Sequence, residues 1–348
     1  MKLTYHTVAL LGSLLSLPTG LLAAPQPAAS PAKPAPAATD VKKDAPAKPA
    51  APVTKSAPAS KATPTAKTES TPKTQPAPVA KVAAPMRKIG QLDWHTDYVA
   101  AYDAARTARK MLFIVFRDER QKEQANAFER NVLASPSIAN WLNTAVRVTL
   151  PLNVAQPAVA GKKPVRLIDH TSFQYMYGQP GVAVIDLTDK KSPHYGNVVS
   201  AHPVNEGELS VDGVRVVLGL PKATVTQRAL TFAVLMNAAP ISTTGGQCHG
   251  ALCEAARRGS ELMAQYGSVG HHEWGERSNQ VSAQTGRGAS EVAAMGFGSL
   301  QAVAAQCVSA WQGSSAHWSI MSTPATLYGY DLVQAGNGSW YGTGVFAN

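Results

Sequence analysis

The chain has 348 residues, with 32 Lys and Arg against 22 Asp and Glu, a formal charge of +10 and three cysteines. Eleven Lys or Arg against three Asp or Glu lie within residues 31–88, so that stretch alone carries +8 of the +10. What remains is close to neutral, which excludes a basic nucleic-acid-binding face as the origin of the charge, and the length predicts two folded units beside any unfolded segment.

The first 24 residues place Lys2 before the apolar run "VALLGSLLSL" and then small residues, the layout of a signal peptide cleaved between Ala23 and Ala29. The run is too short to anchor a chain across a bilayer, and no cysteine follows it for lipid attachment. The expectation is an exported protein, periplasmic, envelope-bound or extracellular. Residues 25–88 are almost entirely Ala, Pro, Lys, Ser and Thr. Such a segment buries too little apolar surface to offset its ordering entropy, so it reads as a disordered linker. Its positive charge suits an anionic envelope surface, polymer or lipid head group, as partner.

Residues 89–240 alternate helix and strand signals. Trp94, Tyr98, Ala101 and Ala105 have helical spacing. "MLFIVF" (111–116) is a continuous apolar run of strand length, as in a strand buried on both faces. "EQANAFERNVLASPSIANWLN" predicts a helix, a Ser-Pro break and a second helix, followed by strands at "AVRVTL", "GQPGVAVIDL" and "HYGNVVSAH" and a helix over 224–236. The alternation points to a layered α/β sheet. This order resembles the thioredoxin-like superfamily, carried by the Trp-led helix, the strand ending at Phe116, the helix with Phe128 and Val132, and Gly-Gln-Pro-Gly before the next strand. The resemblance implies a cis-proline at Pro180. It also implies a Cys-x-x-Cys at Gln121 to Gln124, where this chain reads "ERQKEQ" without a thiol. The unit is therefore expected to be redox-inactive, a scaffold or a recruiting surface.

Residues 241–348 open with Leu252, Ala255, Ala256, Leu262, Met263 and Tyr266 in a helical stripe that stops at Gly267. A loop with "GHHEWGER" follows. "SEVAAMG" leads into "SLQAVAAQCVSAW", whose Val303, Cys307 and Trp311 mark one buried face, and Gly313 to Ser315 end that helix. Two strand-like runs then flank Asn337-Gly338, a strong hairpin signal, so this unit is α+β. Glu291, after Ser290, reads as a first-turn acid favoured by a helix dipole.

The motifs "GHHEWGER", "SEVAA", "SSAHWSIM" and "YGY...GNGSWYGTGVF" resemble, in this order, the CAP/SCP superfamily of cysteine-rich secretory and pathogenesis-related proteins. The resemblance implies an α-β-α sandwich with two histidines and one or two glutamates in a central cleft, which in some members binds a divalent metal. Carried over, the cleft residues are His271 or His272, Glu291 and His317, with His272, Glu291 and His317 as the set for a zinc ion. The family's second glutamate has no match; Gln301 and Gln306 are the polar residues of that stretch. Two imidazoles and a carboxylate suit zinc and equally suit proton transfer. Ser315 lacks the strand-to-helix elbow of a nucleophilic serine and reads as a cap or turn. Without a strong nucleophile or complete metal shell, the reading is a binding protein for a lipidic or wall-polymer ligand. The rivals are a metal-dependent hydrolase of peptides or esters and an interaction protein recruited through the first unit.

Cys248, Cys253 and Cys307 predict one disulfide and one spare thiol in an oxidising compartment. Cys253 with Cys307 would cross the unit, and Cys248 with Cys253 would close a short loop. "CHGALC" lacks the second ligand pair of a zinc site.

Overall fold

The computed structural model describes residues 85–156, 165–204, 209–239 and 241–348, all within one compact unit, Ala77–Asn348. The leader expected over residues 1–24, and the linker as far as residue 84, lie outside the described residues. The fold is mixed α/β, built on two mixed sheets.

The last linker residues depart from expectation: β1 (Met86–Ile89) and β2 (Leu92–His95) form an antiparallel pair turned at Gly90, whose φ of +57° favours glycine. Trp94 therefore belongs to a strand. The helix it was expected to lead begins only at α1 (Tyr98–Ala108), because Asp97 caps it by accepting the Ala100 amide. Next come β3 (Met111–Arg117), α2 (Lys122–Phe128) running into one wide turn to Leu133, α3 (Pro136–Leu142) and β4 (Ala145–Pro151). β5 (Gly181–Ile185), β6 (Val198–Pro203), α4 (Val211–Gly219) and α5 (Val225–Leu235) complete this half. The strand order is β1-β2-β4-β3-β5-β6, with β2, β4 and β3 parallel and β5 and β6 antiparallel. The apolar run of β3 is explained by helices on both faces. Leu112, Ile114 and Phe116 point to the side of Ala101 and Ala105 of α1, whereas Phe113 and Val115 point to Ile138, Leu142, Val214 and Val217. The Gln179–Pro180 bond is trans, contrary to the cis-proline expectation.

The second sheet runs β7-β9-β10-β8. Its elements are β7 (Gln247–Cys248), α6 (Gly250–Tyr266), α7 (Trp274–Thr285), β8 (Ala289–Gly296), α8 (Leu300–Gln312), α9 (Ser315–Ser322), β9 (Leu327–Gln334) and β10 (Trp340–Ala347). Pleating divides its side chains between two cores. Val292, Ala294, Trp340 and Phe346 face α8 and α5, while Val345 and Ala347 face α6 and α7. Glu291 sits in β8, not in the first turn of a helix.

The two sheets share α5. Its Ala229, Leu230 and Val234 join the core of the second sheet, and its fully buried Arg228 donates to Ser200 Oγ of β6 at 2.8 Å and to carbonyls at the end of α4. Tyr175 reaches across in the same way, its ring 6.1 Å from that of Trp340.

Candidate functional site

Glu291 is the buried centre of the cluster. Its position in β8 aims it at α6 and α7, where Arg277 in the first turn of α7 answers its charge: Nη1 pairs with Oε2, and Nη2 donates to Oε1 at 3.0 Å. Both side chains are nearly inaccessible, 3 % and 2 % exposed. A carboxylate taken from water needs such a partner to remain ionised. The guanidinium is itself fixed by the carbonyls of His272 and Ala255 and lies over the Trp274 ring, 5.2 Å from its centroid. It reaches this place because α6 carries Gly259, where a Cβ would stand only 2.9 Å from Arg277 Nη1.

His271, just before α7, donates from Nδ1 to Glu291 Oε1 at 2.8 Å. Glu291 accepts from Arg277 through both oxygens, so it can only accept from the imidazole as well. That commits Nδ1 to Glu291 and leaves Nε2 as the ring nitrogen free to meet a ligand. The side chain is 48 % exposed. His317 approaches from α9, whose first turn is capped by Ser314. Its ring centroid lies 6.0 Å from that of His271, edge to face. Partial burial, and then the neighbouring His271, hold the His317 imidazole below the usual histidine range, which favours its neutral form.

His272 does not join them. It donates from Nε2 to the Ser268 carbonyl at 3.1 Å, and its ring lies 4.8 Å from Tyr266. Consecutive residues entering the left-handed Glu273 diverge, so only one imidazole of the pair can meet Glu291. The expected metal set His272, Glu291 and His317 is accordingly not assembled. Among the described residues no group of three or more His, Cys, Asp or Glu side chains is arranged to hold a metal ion. With both Glu291 oxygens engaged, His271 and His317 supply two donors where a catalytic zinc takes three protein ligands. As placed, the residues do not fit that ion, and Glu291 orients an imidazole instead. Neither glutamine stands in for the missing glutamate: Gln301 donates to the Ala201 carbonyl, and Gln306 bonds the backbone of Phe297.

Ser315 is exposed at the start of α9, where the capping oxygen comes from Ser314. Tyr328, Tyr330, Trp340 and Tyr341 are buried strand residues. Of the cysteines, Cys248 and Cys253 have their Sγ atoms 3.6 Å apart. Cys307 is buried on α8, and Cys253 lies on α6, across the sheet from it, which keeps that pair apart. Arg277 escaped sequence reasoning. The available signal was its four-residue spacing to the buried Val281 on an otherwise polar helix.

In the first half, Gln121 and Gln124 occupy the segment where the thioredoxin resemblance implies a Cys-x-x-Cys. They line an apolar groove with Phe116, Phe128, Pro180 and Val182. Among the described residues no helix is long and apolar enough to cross a membrane. In comparison with known proteins, no family model, no curated protein and no solved structure matches the chain.

Proposed function

We propose that the chain is an exported, envelope-associated binding protein in which a CAP/SCP-like half presents the His271–Glu291–His317 cluster to a lipidic or wall-polymer ligand. A thioredoxin-like half without active thiols would support it. The carrying observation is the buried Arg277–Glu291 pair that orients His271 beside His317. A carboxylate committed to an arginine and an imidazole is a fixed device for presenting one ring nitrogen. The two partly exposed rings form a polar recognition pair. Supporting the family readings are the helix layers on both faces of the second sheet. The first sheet adds its three parallel strands followed by two antiparallel ones. The cationic composition of residues 31–88 supports attachment to an anionic surface.

The test uses the full chain with three probes: a sterol, anionic phospholipid vesicles and purified wall polymer. Wild type is compared with His271→Ala and His317→Ala by calorimetry. Loss of one hydrogen bond from the cluster should weaken binding of at least one probe about tenfold. Unchanged binding of every probe would remove the cluster from the account. Chelator-sensitive hydrolysis of a peptide or ester by wild type would instead favour the metal-dependent hydrolase.

A further inference from the structure

Two of the three thiols lie together at the start of α6. Cys248 ends the short strand β7, paired in register with Tyr328 of β9, and Cys253 lies in the first turn of the 17-residue helix α6. His249 between them caps that helix. Their sulfurs are 3.6 Å apart, and a disulfide needs about 2.05 Å. The remaining gap is of the size that small side-chain rotations close. The two thiols also differ in their surroundings: Cys248 is half-buried, whereas Cys253 and Cys307 are buried.

We infer that Cys248 and Cys253 form a reversible redox site, in which Cys248 is the attacking thiolate and Cys253 the resolving thiol. This inference is independent of the ligand reading above. The hydrogen bond from Cys253 holds the Cys248 thiol below its usual range, while that same bond and burial push Cys253 up. The position of Cys248 at the amino end of α6 favours a thiolate further. Cys307 is pushed up to about 12 by burial and serves as an internal reference.

The oxidant is a small disulfide, RSSR. The Cys248 thiolate attacks one of its sulfurs, forming Cys248–S–S–R and releasing RS⁻, which takes up the proton that Cys248 gave to solvent. Cys253 then gives up its proton and attacks the Cys248 sulfur, and the second RS⁻ leaves with that proton. The net change is RSSR and two thiols to one cystine and two RSH. Because the cysteines are only five positions apart, the closed loop constrains the unfolded chain little, which leaves the bond open to reduction by the reverse exchange.

The experiment exposes the full chain to oxidised glutathione, quenches with acid, alkylates under denaturing conditions and maps the peptides. The expected product is a Cys248–Cys253 cystine with Cys307 alkylated, and full recovery of all three thiols with reduced dithiothreitol. Before oxidation, native Cys248 should alkylate at least about tenfold faster than Cys307. Cys253→Ser should trap glutathione on Cys248, whereas Cys248→Ser should leave Cys253 unmodified. Three free thiols after oxidation, a cystine that includes Cys307, or stable glutathione on wild-type Cys248 would each overturn the assignment.

Discussion

Arg277 decides whether the cluster exists. Removing it strands a buried carboxylate, and the cost of an uncompensated buried charge exceeds what the pair gains over an apolar equivalent. Arg277→Met should therefore lower stability by about 3–5 kcal/mol in urea unfolding at neutral pH. The double variant Arg277→Met with Glu291→Gln should recover most of that loss, because it no longer carries an unpaired charge. No recovery would place the cost in the packing over Trp274 and the bond to Ala255. The sequence contained His271, Glu291 and His317 in readable motifs, and Arg277 closes one of them, "GHHEWGER", yet nothing in that motif marks the arginine as the buried partner of Glu291. Nor could it choose between His271 and His272, because that choice is made by the left-handed turn at Glu273 and by Tyr266 at the end of α6.

At the scale of elements, the joint between α5 and β9 has a pH dependence of its own. Asp331 of β9 is buried and accepts from Thr226 Oγ1 at 2.7 Å, Gln227 Nε2 at 2.9 Å and the Leu332 amide. Burial nonetheless raises its carboxyl to about 6, against those three bonds and the more distant charge of Arg257. Between the ordinary carboxylate value and about 6, the unfolded chain loses its proton before the folded one. The stabilisation is therefore fully present below that window and is lost as pH rises through it, by roughly 2–3 kcal/mol. Asp331→Asn should remove this slope, so the stability difference between variant and wild type should grow in the variant's favour from pH 4 to pH 7. A difference independent of pH would show that Asp331 does not titrate in this range. Elements whose burial is written as continuous apolar runs or clear stripes were legible: β3, α6, α8 and the β9–β10 hairpin. β8 was not, because "ASEVAAMG" has little strand propensity and is held extended by pairing with β10 along its whole length. α4, α7 and α9 were missed for different reasons: α4 is dominated by β-branched valines around an internal Gly213, α7 carries few apolar residues, and the Gly and Ser before α9 conceal the cap Ser314.

The whole molecule is described by its sequence as two successive units, yet α5 belongs structurally to both. By position it closes the first half; by packing it lies on the second sheet. Arg228 anchors it to β6 and α4 in one direction, while Leu230, fully buried, fills the core around Trp311 and Tyr330 in the other. Such a shared element couples the halves, because neither can lose α5 without exposing apolar surface in both. Leu230→Ala should leave a cavity in the second core and cost about 2–5 kcal/mol. The informative readout is where that loss appears. Trp94 reports on the first half and Trp311 and Trp340 on the second, so single-tryptophan variants can follow each half through one urea titration. If α5 binds the halves into one cooperative unit, both probes shift to the same lower midpoint although the cavity lies in only one core. A shift confined to the probes of the second half would mean that the halves unfold separately and that α5 detaches from the first without cost.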